Sequence, residues 1–350
     1  MTTSPSTHRT GDAVWLGAGA VFCLAAILIG ASVGPAGPDW WRVPLVLADH
    51  LPLIALDHGV TDQEWNIVWK IRMPRVVLGA LVGGMLAMAG SAYQGVFRNP
   101  LVDPYLLGAA AGAGLGATAA ITLGWGDAAA WPVNPIPASA FIASVCTVSL
   151  TYVLGGSFGG SRAGITLVLA GVAVVSFATA AQTFLMQRHL DVIREVFQWI
   201  LGRLAGATWD DIRLIGPYVA CSVVVLLLQR RHLDVFRVGD AEAESLGLSV
   251  TRIRLVIVLA ATLGTAAVVS VSGLIGFVGL VVPHTVRLLA GAAYRRLIPL
   301  SLLVGAGFLV LADVPGRMLT SPAETPIGVV TAFLGAPFFL VLLRSRKMTA

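Results

Sequence analysis

Long stretches without a single Asp, Glu, Lys or Arg constrain this chain more than any other feature. Uncharged windows run over 13–38, 76–97, 104–126, 128–161, 163–187, 255–286 and 325–343, with shorter ones over 214–229 and 297–312. A helix crossing a hydrocarbon core of about 30 Å needs roughly 20 residues, and most of these windows are that long. They are continuously apolar rather than alternating with period two, which favours helices over a β-barrel. Composition agrees: of 350 residues, 57% are hydrophobic and 12% charged, against roughly 25% charged in an average soluble domain. Eighteen acids and 23 bases are too few to cover the surface of a soluble protein this size. That excludes a soluble enzyme, a nucleic-acid binder and a disordered chain. Thirty-nine glycines and 18 prolines argue against a long coiled coil.

Two windows must be divided. Pro132, Pro135 and Pro137 make the start of 128–161 a loop, and Ser270–Gly276 reads as a break within 255–286. The expectation is an all-α polytopic membrane protein of about ten transmembrane helices, over 13–34, 76–97, 104–125, 138–156, 164–186, 212–229, 254–271, 276–291, 297–313 and 326–343. They form one transmembrane domain across 1–350. An even number puts both termini on one side. The side holding the termini collects 14 of the 23 bases, so the positive-inside rule makes it cytoplasmic. Residues 1–12 and 344–350 are then cytoplasmic ends of a multi-pass protein of the cell membrane. The first apolar stretch has no strong basic start and no clear small-residue cleavage site, so it reads as a retained span.

Little chemistry is available to such a chain alone. Lys occurs only at 70 and 347, after Trp69 and Arg346, so no G-x-x-x-x-G-K-[ST] phosphate loop exists. His8, His50, His58, His189, His232 and His284 form no metal-ligand spacing, and Cys23, Cys146 and Cys221 fall inside spans as small packing residues. No metal site and no catalytic residue is indicated. Of the ionisable residues, only His284 and Asp313 lie near span interiors or ends, whereas ion-coupled carriers place relays at mid-depth. Uphill transport would therefore draw on a partner. The longest charged cytoplasmic segment, 230–254, offers a docking site: Asp240 to Leu246 can form a short helix that Gly247 terminates, with a further turn from Ser249.

A set of motifs resembles the FecCD family of ABC-transporter permeases. They are Arg72-Met-Pro-Arg75, Gln94-Gly-Val-Phe-Arg-Asn-Pro-Leu-Val-Asp-Pro-Tyr-Leu-Leu-Gly108, Gln198-Trp-Ile-Leu-Gly202, Gly206-Ala-Thr-Trp209 and Gly239-Asp-Ala-Glu-Ala-Glu-Ser-Leu-Gly247. Gly273-Leu-Ile-Gly-Phe-Val-Gly-Leu-Val-Val-Pro-His284 and Pro326-Ile-Gly-Val-Val-Thr-Ala-Phe-Leu-Gly-Ala-Pro-Phe-Phe339 complete the order. The resemblance implies ten helices per subunit and a homodimer around a central pathway. It also implies two cytoplasmic ATPase subunits, which hold the ATP and Mg²⁺, and an external substrate-binding protein. The cargo would be a ferric siderophore, with heme or cobalamin as alternatives. It places a cytoplasmic gate at Asn99 and Leu101 opposite Ser161 and Arg162. It places ATPase coupling at Gly239, Asp240, Glu242, Glu244, Leu246 and Gly247, and binding-protein docking at Arg72, Arg75 and Arg317. Val102 stands where the family has alanine in Asn-Pro-Leu-Ala-Asp-Pro, and Glu244 where arginine is common.

The motifs also have local readings. Asn99-Pro100 and Asp103-Pro104 end one helix and start the next, since proline disfavours helix in the residue before it, and Asn99 and Asp103 can cap the following turns. The stripes Gly79/Gly83/Gly84/Gly90 and Gly112/Gly114/Gly116 suit close helix packing in lipid. Met85 and Met88 read as core fillers, and His284 as a packed residue rather than a heme ligand. A stand-alone carrier lacks intramembrane charge pairs in this reading. A membrane enzyme lacks paired acids, metal ligands and a nucleophile motif.

Overall fold

The computed structural model describes residues 5–49, 60–125, 134–156, 163–319 and 323–344. Helix α1 (Pro5–Ser32) is followed by the short α2 (Val43–Asp49) and α3 (Asp62–Asn66). A π-helical turn, Ile67–Arg72, joins α3 without interruption to α4 (Met73–Val96). A 3₁₀ turn, Pro104–Leu107, precedes α5 (Ala109–Thr122), α6 (Pro135–Gly156) and α7 (Ala163–Arg188). Then come α8 (Ile193–Ile200), α9 (Trp209–Phe236), α10 (Asp240–Ser245), α11 (Val250–Ser272), α12 (Val278–Ala290), α13 (Tyr294–Met318) and α14 (Ile327–Arg344).

Among the described residues, seven helices are long and apolar enough to cross a membrane, against the about ten spans expected. Helices α5 and α12 and the apolar stretch Ile327–Val341 of α14 occupy the other three expected positions and are shorter. The shortening has local causes. Gly108, at φ +95°, divides the 3₁₀ turn from α5, and the chain leaves helical geometry between Ser272 and Val278.

Most of α4, α11 and α13 is buried within the chain, whereas under a third of α1, α6, α7 and α9 is. The three buried helices make the interior, with α9 and α12 packed on them. Lipid offers no hydrophobic drive between helices, so close approach by small residues has to hold them. Gly83 of α4 and Gly305 of α13 do this reciprocally: a Cβ on either would run into the other's carbonyl oxygen. Gly90 meets the Gly279 carbonyl of α12 in the same way, and Gly112 and Gly116 seat α5 on α6. The glycine stripes are packing surfaces. Met85 and Met88 are fully buried, as core fillers should be.

The helices alternate in direction, so motifs distant in sequence meet at two ends. One end gathers the C-terminus of α1, the π turn with the N-terminus of α4, and the C-terminus of α13. The other gathers the C-termini of α4 and α9, helix α10, and the N-termini of α11 and α13.

Candidate functional site

Helix α4 ends in a paired-bond cap. The Asn99 N–H reaches back to the Gln94 carbonyl at 3.2 Å and the Arg98 N–H to Gly95 at 3.4 Å, which is the Schellman arrangement. Its left-handed position usually carries glycine; here Arg98 takes it at φ +50°. The following turn closes on itself. Asn99 Oδ1 accepts from the Leu101 N–H at 2.9 Å, and Asp103 Oδ1 accepts from the Tyr105 N–H at 2.8 Å. Both expected caps therefore form. Asn99 is exposed and Leu101 half-buried. Asp103 is half-buried beside Gly279, and burial raises its carboxyl to about 6, with the Tyr105 N–H opposing the shift.

The short helix expected after α9 is α10, and it ends as its sequence requires. Gly247 sits at φ +84°, its N–H bonded to the Glu244 carbonyl at 2.9 Å, while the Leu248 N–H reaches Ala243 at 3.2 Å. Asp240, at the start of α10, accepts from Arg254 of α11 at 2.9 Å and lies 3.5 Å from Arg98 of the turn after α4. One carboxylate thus ties the turn carrying Asn99 and Leu101 to the helix carrying Glu242 and Glu244. Leu246, at its end, is 68% exposed.

Between these ends lies the break between α11 and α12. The Tyr105 hydroxyl donates to the Ile275 carbonyl at 3.0 Å and accepts from the Ile275 N–H at 3.1 Å. Gln94 Nε2 donates to the Gly279 carbonyl at 3.2 Å and its Oε1 accepts from Arg287 at 2.9 Å. The break also borders an apolar cleft of about 580 Å³, lined by Leu201, Leu274, Gly328, Val329, Phe333 and Pro337. His284 faces Phe338 edge-on at 6.1 Å, close to Leu101. Among the described residues no group of His, Cys, Asp and Glu could hold a metal ion.

The model of the FecCD transport family matches residues 21–345. The chain belongs to the FecCD transport family. The cobalamin import system permease BtuC of Halobacterium salinarum is 37% identical over 366 residues, covering 96% of this chain and 97% of that protein. The hemin transport system permease HmuU of Yersinia pestis is 38% identical over 83% of this chain and 86% of its own. A solved structure described as an ABC transporter of the metal-chelate type, inward-facing, superposes with a TM-score of 0.81 at 27% identity, covering 94% of this chain and 98% of that one. The protein is thus a membrane-embedded permease of the ABC-importer class, a transporter subunit. Its family membership implies ATPase and binding-protein partners.

The sequence expectation assigned Arg72, Arg75 and Arg317, at the other end of this FecCD permease, to binding-protein docking. All three are buried, at 5%, 8% and 3% exposure. Helix α1 leaves its last carbonyls without partners, and Arg72 and Arg317 supply the donors. Arg72 donates to Ala31 and Ser32 at 3.1 Å each and also to Ala36. Arg317 donates to Gly30 at 3.1 Å and Val33 at 3.3 Å. Arg75 clasps Asp313 with two 2.8 Å bonds and also holds Glu324, while Arg317 lies 3.1 Å from Asp313. An outside carboxylate reaches these guanidiniums only if internal bonds are exchanged. The sequence reading also found no intramembrane charge pairs; the Arg75–Asp313–Arg317 cluster corrects it. Arg75 and Asp313 are 238 residues apart and leave no local signal, whereas Asp313 and Arg317, four apart on α13, could have been read as a helical pair.

Ser161 and Arg162 lie outside the described residues, so the expected opposite wall of the gate has no geometry here. The sequence reading missed Tyr105 and Arg98. Arg98 could have been found as a non-glycine residue where a helix must end. The family's Trp209 gains a purpose: its indole N–H donates at 3.0 Å to the Trp69 carbonyl inside the π turn, with the two rings 5.2 Å apart.

Proposed function

We propose that this chain is one half of a homodimeric permease that carries a ferric siderophore across the cytoplasmic membrane, with both termini in the cytoplasm. The reading rests on the Arg98–Asp240–Arg254 cluster, which joins a partner-facing helix to the turn carrying Asn99 and Leu101. Helix α10 presents Leu246 to a cytoplasmic ATPase, on which ATP and Mg²⁺ reside. Movement of α10 pulls Asp240, Asp240 pulls Arg98, and the turn opens or closes the pathway. The permease itself binds no cofactor and performs no catalysis. The apolar cleft beside Phe333 belongs to the face a second copy would cover. At the outer end, docking of the binding protein would engage Arg75 by displacing Glu324, its more exposed partner.

A ferric cargo is supported by relatives named for iron citrate, iron hydroxamate and iron chelatin transport. Heme and cobalamin have comparable support from the hemin and cobalamin permeases. The deciding experiment presents the cognate binding protein with ferric siderophores, heme and cobalamin. Ligand-stimulated ATP hydrolysis is then measured with the reconstituted complex. Stimulation by ferric siderophores alone supports the reading, and stimulation by heme or cobalamin alone replaces the cargo. Transport that persists without an ATPase would sink the importer mechanism itself.

A further inference from the structure

The end of the molecule that carries α10 has a second charged feature with no part in that mechanism. Helices α1 and α9 both pack on α13, and where the three meet, a cleft of about 440 Å³ opens. Four arginines line it, Arg230 and Arg231 from α9 and Arg295 and Arg296 from α13, together with Asp12 and Asp234.

The two carboxylates are already engaged. Asp234 accepts from the N–H groups of Tyr294 at 2.7 Å and Arg295 at 3.1 Å. It thereby caps α13, whose own N-cap residue Ala293 has no side chain to do so, and its charge faces the positive end of a helix dipole. Asp12 lies 3.4 Å from Arg295 and 3.2 Å from Arg296. Arg230 and Arg231 have no ion pair among the described residues. The cleft therefore keeps a positive excess.

Its depth identifies the occupant. All three helices change from apolar to charged sequence at this level: α1 becomes uncharged from Ala13, α9 ceases to be after Gln229, and α13 becomes so from Leu297. Leu16 lines the cleft, and Val14 and Leu228, each 70% exposed, carry an apolar surface onward on α1 and α9. A concave basic site at the boundary between water and hydrocarbon fits a phosphate that has acyl chains attached. Planar guanidiniums match phosphate oxygens in pairs. Free phosphate would satisfy the arginines but leave the apolar surface unused.

We propose that this cleft binds the phosphodiester headgroup of an anionic phospholipid, whose acyl chains lie against α1 and α9. Because α10 begins four residues after the last turn of α9, a lipid there would brace the helix that carries the coupling segment.

The test is native mass spectrometry of the full-length protein in detergent, titrated with phosphatidylglycerol, cardiolipin or phosphatidylcholine. Wild type should retain the anionic lipids over phosphatidylcholine. R230Q/R231Q should cost roughly fivefold in retention per arginine, about 30-fold together. It leaves the Asp234 cap and the Asp12 pairs in place. R252Q/R344Q removes equal charge from exposed positions and should retain lipid normally. Equal retention of all three lipids by wild type overturns the proposal whether or not the variants fold. So does equal loss in both double variants. Displacement of the bound lipid by millimolar inorganic phosphate would assign the cleft to free phosphate instead. If R230Q/R231Q keeps its lipid but releases the co-purifying ATPase, the cleft is an acidic protein's docking site and the lipid assignment is wrong.

Discussion

Arg98 holds a backbone conformation that an L-residue adopts at a cost of roughly 1 kcal/mol, in a cap position where glycine would be free of it. Its retention makes sense only through its side chain, 3.5 Å from Asp240. R98G should therefore raise the thermal stability of the permease slightly while lowering ligand-stimulated ATP hydrolysis and uptake. Loss of stability with intact coupling would refute this reading. Asp103 carries a different burden. Its carboxyl is raised to about 6 by burial, from an ordinary 3.8. The folded protein thus holds a proton that the unfolded chain has released. Stability should fall as pH rises between those two values, with the full cost present above about 6. D103N keeps an acceptor for the Tyr105 N–H without the charge. It should melt higher than wild type near pH 8 and match it near pH 4, in detergent scans at both pH values. The caps at Asn99 and Asp103 were legible in the sequence because proline and side-chain chemistry act within two residues. The carbonyl partners of Arg72 and Arg317 were not, because they lie at the end of another helix, and a carbonyl has no letter.

At the scale of single elements, α10 was legible from start to stop. Gly239 and Gly247 bracket it, and both take positive φ. Leu246 is exposed beside the second of them. L246D should leave insertion and dimerisation intact and break co-purification with the ATPase. G247P should do the same by removing the N–H that closes onto Glu244. Wild-type ATPase retention and stimulated hydrolysis in both variants would remove α10 from the coupling role. The break between α11 and α12 was legible too, from Ser270–Gly276. Helix α8 was not, since its eight residues are too few for a spanning segment.

For the molecule as a whole, charge spacing located the apolar helices, because excluding charge from hydrocarbon is a constraint on every residue of a span. Which spans are interior was not legible, since in lipid both surfaces of a helix are apolar. The structure separates them by glycine contacts. It leaves Phe333 of α14 76% exposed at the rim of the 580 Å³ cleft. If a second copy covers this face, F333E should convert a dimer to a monomer of unchanged helix content, read by light scattering on a sizing column. A persisting dimer would place the second copy elsewhere.

The π turn at Ile67–Arg72 turns the long helix into a counting device. It holds one more residue in its loop than an α-helical turn would, so its phase depends on the number of residues and not on their identity. Removing the exposed Ile71 would restore a regular helix. Everything before the deletion would then rotate by about 100° and move 1.5 Å along the axis. Trp69 would turn away from Trp209, and the carbonyl that Trp209 grasps would be recaptured by the helix. A one-residue deletion there would thus be felt more severely than most substitutions, although it removes neither a charge nor a core side chain.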